Sequence, residues 1–236
     1  FMNSSTMIEI YNDFFKQANY SHTQSIFCEK VFGIDLTQDG FSDKKQLDFM
    51  IELLKLSEKD LCLDIGCGNG RISNYINQKT GASIDGIDSS ENAIKFANEF
   101  FGKNTRLKFN KMDINHLKLN EYYYSVIYLI DTIYFSDNYR KTLSEIYSVL
   151  KNGGFLVFFY SDFIFDKELR NKKILEHETA LAKLFIEMGW DYTVTDFTSD
   201  HFELMKRKHI YSECLKEEYI KEGNEKLFRK INEESV

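Results

Sequence analysis

The sequence predicts an α/β fold: a doubly wound, mostly parallel sheet with helical additions at both ends. Three observations predict it. Between residues 60 and 197, short apolar runs alternate with segments of helical periodicity, the pattern of repeated strand–helix–strand units. The run Leu61-Cys62-Leu63-Asp64-Ile65 passes directly into Gly66-Cys67-Gly68-Asn69-Gly70, a buried strand followed by a glycine-spaced bend. Past the bend, Ile72, Tyr75 and Ile76 recur at helical spacing. Strand, glycine turn and helix in this order build a nucleotide-binding loop at the carboxyl end of a parallel strand.

The remaining elements follow in order. Thr6 to Glu9 reads as a capping box, after which Met7, Ile10, Tyr11 and Phe14 share one helical face. Ser21 to Gln24 is a second box, leading into Ile26, Phe27 and Val31, and 32–41 is loop-like. Ser42 is placed to cap a helix whose Leu47, Met50, Ile51 and Leu54 face the sheet. The second strand spans 83–88 with a helix over 91–101, the third strand 107–110, and the fourth 124–130. Ser136 or Asp137 caps the next helix, which buries Leu143, Ile146, Tyr147 and Leu150 and stops at Lys151-Asn152-Gly153-Gly154. A fifth strand covers 155–160, a loop 162–168, and a helix 174–188 ending at Gly189. Residues 190–197 alternate like an edge strand. The last part reads as charged amphipathic helices with Leu204, Tyr211, Leu215 and Tyr219 inside, broken at Gly223, with no clear final strand. The expected organisation is a helical lid at 1–41, a nucleotide-binding domain at 42–197 and a helical extension at 198–236.

Bulk properties narrow the function. The 236 residues are 43% hydrophobic and 28% charged, ordinary for a globular protein with a full core. A net charge of −7 is repelled by phosphate backbones, so a nucleic-acid partner is not expected. Cys28, Cys62, Cys67 and Cys214 contain no C-x-x-C, which reads as reduced thiols in a cytoplasmic protein. His177 lies between two glutamates without H-E-x-x-H, so no metal is expected. No apolar run has membrane-spanning length.

The spacing of the bend separates two ligands. The dinucleotide fingerprint G-x-G-x-x-G needs a third glycine where Arg71 stands. What stands here is Asp64-x-Gly66-x-Gly68-x-Gly70, with a carboxylate just ahead of the turn. Asp88 lies 18 residues after Gly70 at a strand end, where a carboxylate accepts from both ribose hydroxyls. The glycine stretch resembles the first motif of class I S-adenosylmethionine-dependent methyltransferases, and the resemblance covers about residues 42–197. Within that family the chain is similar to small-molecule enzymes such as those of ubiquinone and menaquinone biosynthesis. The resemblance implies that Gly66, Cys67 and Gly68 surround the methionine part of S-adenosylmethionine and that Asp64 anchors its ammonium. Asp88 and Ser89 would hold the ribose, Met112, Asp113 and Ile114 the adenine, with Ile130 alongside.

It also implies a lid over the acceptor, placing Tyr11, Tyr20, His22, Gln38 and Phe41 near the substrate together with Tyr134 and Tyr160. Asp131 and His22 are the candidate bases, each with a plain capping or surface role as the alternative. Tyr128, Tyr134 and Tyr160 offer ring faces to a sulfonium or serve as core. The loop at 131–134 keeps Asp131 and Tyr134 but lacks the two prolines of nucleobase amine methyltransferases, which argues against that substrate. His201 and the run Lys206 to His209 either meet an anionic substrate or form a solvated face. The expected function is methyl transfer to a small soluble molecule, producing S-adenosylhomocysteine, by a monomer or homodimer without a metal. The alternatives are a non-catalytic S-adenosylmethionine-binding regulator and a nicotinamide oxidoreductase. A concave, aromatic-lined cavity beside the sulfur position separates catalysis from regulation.

Overall fold

A computed structural model of the chain describes residues 4–119, 123–162 and 174–234. Five parallel strands form the sheet: β1 (Leu61–Ile65), β2 (Ser83–Asp88), β3 (Leu107–Lys111), β4 (Tyr124–Ile130) and β5 (Leu150–Phe159), in the order β3-β2-β1-β4-β5. β1 and β4 are the neighbours at which the winding reverses, pairing Cys62 with Val126 and Asp64 with Tyr128. A ligand cleft in such a sheet opens at the strands' carboxyl ends beside that reversal. The strands are apolar because helices cover both faces. Between them run α4 (Arg71–Thr80), α5 (Glu91–Phe101) and α6 (Tyr139–Val149), preceded by α3 (Lys44–Leu54).

The N-terminal helices α1 (Ser4–Ala18) and α2 (His22–Phe32) pack with α8 (Thr198–Cys214), α9 (Lys216–Lys221) and α10 (Glu225–Glu234). Phe14, Phe15, Phe27 and Phe32 share one core with Leu204, Tyr219, Leu227 and Ile231. Each such buried side chain contributes about 1.5–3 kcal/mol. Glu222 fastens the two ends polarly, accepting from Ser21 Oγ at 2.6 Å, Thr23 N at 2.8 Å and Thr23 Oγ1 at 2.7 Å, so a carboxylate closes the positive end of α2. The expected lid and extension therefore form one cap.

Several local expectations are corrected. α1 is already helical at Ser4, so Thr6 and Glu9 lie within it. Ser21 does cap α2, but the Gln24 side chain accepts from Tyr219 OH at 2.6 Å instead of completing a box. Asp43, with Gln46, caps α3, because Ser42 is drawn to Asp131. Asn138 caps α6, its side chain accepting from Lys141 N at 3.0 Å. Tyr147 is 56% exposed and stacks on Trp190 at 5.1 Å. Residues 151–154 do not stop the helix. Leu150 already pairs with Tyr124 while Phe155 pairs with Val126, so the glycine pair forms a bulge in β5, with Gly153 at φ +76°.

Toward the C-terminus, a 3-10 turn Glu176–Glu178 precedes α7 (Ala180–Glu187), which Thr179 caps, so the helix is shorter than its apolar pattern. Residues 190–197 form no strand among the described residues; Phe197 packs edge-on against Phe49 at 5.5 Å instead. Most of the loop expected at 162–168 lies outside the described residues. No helix among the described residues is long and apolar enough to cross a membrane.

Candidate active site

A cavity of about 1040 Å³ lies at the carboxyl ends of β1 to β4, under the helical cap. Single small ligands occupy pockets of roughly 300–1,000 Å³, so this one has room for a cofactor and a small acceptor. Its floor is the glycine turn. Gly66 N and Cys67 N both donate to Ile87 O, at 2.8 and 3.0 Å, which ties the end of β1 to β2. Gly66, Gly68 and Gly70 have φ of +81°, +53° and +77°. Side chains are strained at such angles, and a Cβ on Gly66 would also fall 2.2 Å from Thr132 Oγ1.

Asp88 braces this turn. Its Oδ2 accepts from Gly68 N at 2.9 Å and its Oδ1 from Ser90 N at 2.7 Å. Each carboxylate oxygen has a further lone pair, and Asp88 lines the cavity, so it suits a pair of ribose hydroxyls. Burial pushes its carboxyl above the usual range, opposed by the backbone donors of Ser90, Gly68 and Ser89. Met112, Asp113 and Ile114 line the same end, next to β3, and Asp113 accepts from Asn115 N at 2.9 Å. Cys67, Ser89 and Ile130 also face the cavity. Gln38 lines it too: its Oε1 accepts from Leu36 N at 2.9 Å, while its buried Nε2 has no hydrogen-bond partner among the described residues. Carboxylates at the ends of β2 and β3, a bare glycine turn and an unpaired buried donor fit S-adenosylmethionine.

Asp131 stands at the end of β4 with φ +53°, a strained angle for a residue with a side chain. Its Oδ2 accepts from Phe41 N at 2.8 Å and Ser42 Oγ at 2.9 Å, so this carboxylate holds the loop that closes the cavity. Burial raises it to about 6, opposed by those two donors and by the Lys208 charge. A Cβ on Gly40 would lie 2.5 Å from Oδ2, so a side chain there would push the Asp131 carboxylate aside. Tyr11, Gln38, Phe41 and Tyr134 join Asp131 around this end.

Four expectations fail. Asp64 does not line the cavity; it is 2% exposed beneath the turn and accepts from Ser73 Oγ at 2.6 Å, pinning α4 to β1. His22 is exposed as the first residue of α2, outside the cavity, because Ser21 supplies the cap. Tyr20 is 70% exposed, edge-on to Phe96. Tyr160 stacks behind Tyr134 at 5.2 Å and bonds Asp162 instead of facing the cavity. Of the two roles open to Tyr128, core is the one the structure gives it: it is fully buried in the sheet.

Residues that the sequence did not mark for the site also line it: Met7, Ile8 and Phe15 from α1, Thr132, and Met205 from α8. His201, Met205 and His209 recur at four-residue spacing, a helical face readable in the sequence. In the basic run, Lys206 reaches the rim paired with Glu203, while Arg207 turns outward to Asp43 and Val31 O.

Burial pushes Asp64 up to about 7. Its ordinary value is about 3.9, so the protonated folded form is favoured. That stabilisation is complete below the ordinary value and is lost as pH rises through about 7. Asp64→Asn keeps an acceptor for Ser73 and cannot ionise. Its stability relative to wild type should therefore gain about 1.4 kcal/mol per pH unit between about 4 and 7 and level off above 7. Thermal denaturation at pH 5, 6 and 7 checks this; a constant gap over that range would refute it.

Residues 63–158 match a family model described as a methyltransferase domain. The phosphoethanolamine N-methyltransferase of Plasmodium falciparum is 27% identical over 246 residues, covering 97% of this chain and 91% of that protein. The sterol 4-C-methyltransferase of Caenorhabditis elegans is 35% identical over 111 residues, 45% of this chain and 33% of that one. Among solved structures, phosphoethanolamine N-methyltransferase 2 of Haemonchus contortus, in complex with phosphomonomethylethanolamine and S-adenosylhomocysteine, superposes with a TM-score of 0.70 at 19% identity. That match covers 95% of this chain, which spans 55% of the nematode enzyme. The [4+2]-cyclase SpnF shares the fold at TM-score 0.63 and 18% identity, covering 81% of this chain and 73% of its own.

Proposed function

We propose that this class I S-adenosylmethionine-dependent methyltransferase methylates the nitrogen of a small phosphorylated amino alcohol of the phosphoethanolamine class. The observation that carries the reading is Asp131, a half-buried carboxylate on the cavity wall, held on one oxygen by the lid loop and open on the other. Three carboxylates, Asp39, Asp131 and Glu234, share this region with two ammonium groups, Lys208 and Lys230. Lys230 bonds Asp39 and lies 2.6 Å from Glu234. One negative charge is left over, and an ammonium substrate balances it. His201, His209 and Lys206 at the rim suit the acceptor's anionic end.

The residues divide the work. Asp88, Met112 and Asp113 would hold the adenosine, and the glycine turn would pass close to the methionine part. When bound, S-adenosylmethionine supplies a methyl group on a sulfonium, whose departure as a neutral thioether needs no acid. Asp131 would receive the ammonium, align its nitrogen and accept the proton that frees the lone pair. Tyr11, Phe41 and Tyr134 would exclude water around it. A cavity large enough for both partners favours catalysis over a regulatory role.

Coverage favours the amine over a sterol. The sterol enzymes match 42–54% of the chain, whereas the Plasmodium enzyme matches lid, core and C-terminal helices together. Incubation with methyl-labelled S-adenosylmethionine and phosphoethanolamine, ethanolamine or dispersed sterol tests this. Label should enter phosphoethanolamine first; label in the sterol alone, or in no amine, would overturn the reading.

A further inference from the structure

The basic run at 206–209 contains a residue that the site as described leaves unused. Lys208 sits on α8 with its side chain 1% exposed. Its Nζ has no hydrogen-bond partner among the described residues. Its contacts are an ion pair at 3.6 Å with Glu234 Oε2 and the face of Phe41, whose centroid is 5.0 Å away. A buried ammonium without hydrogen bonds is costly, so it persists only where neighbouring charge compensates it. Glu234 supplies one compensating charge, yet that carboxylate also serves Lys230 at 2.6 Å. Phe41 matters because it is the residue whose backbone N–H holds Asp131. His201 lies against the same ring, tilted by 38° at 5.2 Å, so α8 contacts Phe41 through two side chains.

We propose that Lys208 is a positioning residue: by clamping Phe41 from behind and supplying a fixed positive charge, it keeps Asp131 aimed and anionic for the acceptor. The proposal rests on the reading of Asp131 as the acceptor's partner. Asp131 occupies a strained backbone angle and is held through Phe41 N and Ser42 Oγ, so displacing Phe41 loosens it. A nearby cation favours the ionised carboxylate, and Lys208 lowers the proton affinity of both Asp131 and Asp39. The other charged and titratable groups facing this region are Tyr11 from α1, Asp39 from the loop and Tyr134 after β4. His201, Lys206 and His209 from α8, with Lys230, Glu233 and Glu234 from α10, are the others among the described residues.

The test is the pH dependence of kcat/KM, measured with phosphoethanolamine in the full chain. Lys208→Met should move the acid limb upward by about one pH unit, with much smaller loss at alkaline pH. Lys208→Arg should restore the wild-type limb. Glu234→Gln removes an anion beside Lys208 and should move the limb downward. Opposite shifts from two changes in one cluster are not produced by general structural damage, which lowers activity at every pH. If Lys208→Met does not fold, Glu234→Gln and Lys208→Arg still decide. An unmoved acid limb in Lys208→Met or in Glu234→Gln overturns the proposal. If Asp131→Asn retains wild-type kcat/KM, the reading of Asp131 has failed instead, whatever the Lys208 variants do.

Discussion

Replacing Asp88 with alanine should weaken S-adenosylhomocysteine binding about a hundredfold or more. The carboxylate ends β2 in the cavity wall and already accepts from Gly68 N and Ser90 N. The variant loses its bonds to the ribose and strands two backbone donors that shape the turn. Charge-assisted bonds contribute about 1.5–3 kcal/mol each, so losing two costs about 3 kcal/mol or more. Every 1.4 kcal/mol is tenfold in affinity. Calorimetric titration reads this directly, and Asp88→Asn should fall between the two, since it keeps one acceptor. An affinity for Asp88→Ala within about threefold of wild type would remove Asp88 from the ribose.

Asp131→Asn should lower kcat/KM by about 10² to 10³ while leaving cofactor affinity within about twofold. Asparagine keeps an oxygen for Phe41 N and Ser42 Oγ, so the lid loop stays closed and melting should change little. What is lost is the charge that receives the ammonium and the site that takes its proton. The wild-type pH profile gives a second signature. The carboxyl is raised to about 6 by burial, and its ionised form is the active one. Activity should therefore climb as pH rises through about 6, and that limb should vanish in Asp131→Asn. A variant with the same limb and the same kcat/KM would take Asp131 out of the reaction.

The sequence made the sheet legible because both faces of its strands are buried. The expected spans of β2 and β4 coincide with 83–88 and 124–130, and the turn at 66–70 lies where its glycines demand. Caps were less legible, since distant partners compete for them. Ser42 is an adequate helix cap by type, yet Asp131, 89 residues away, takes its hydroxyl and leaves Asp43 to the helix. Asp64 misled for a related reason: its place before the glycines suggests a ligand, while the turn of β1 into α4 puts it below the floor, bonded to Ser73. The lid contacts depended on how five helices from opposite ends of the chain pack together. No local pattern reports that Tyr11 meets the cavity and Tyr20 faces solvent. Lys208 was visible only as one member of a basic run, and its burial comes from α10 and Phe41.

The most direct test is a crystal structure with S-adenosylhomocysteine and phosphoethanolamine bound. The ribose hydroxyls should lie within hydrogen-bonding distance of Asp88, the adenine beside Met112 and Asp113, and the acceptor nitrogen between the sulfur and Asp131. A nucleoside bound elsewhere, or an acceptor nitrogen remote from Asp131, would contradict the arrangement described for this site.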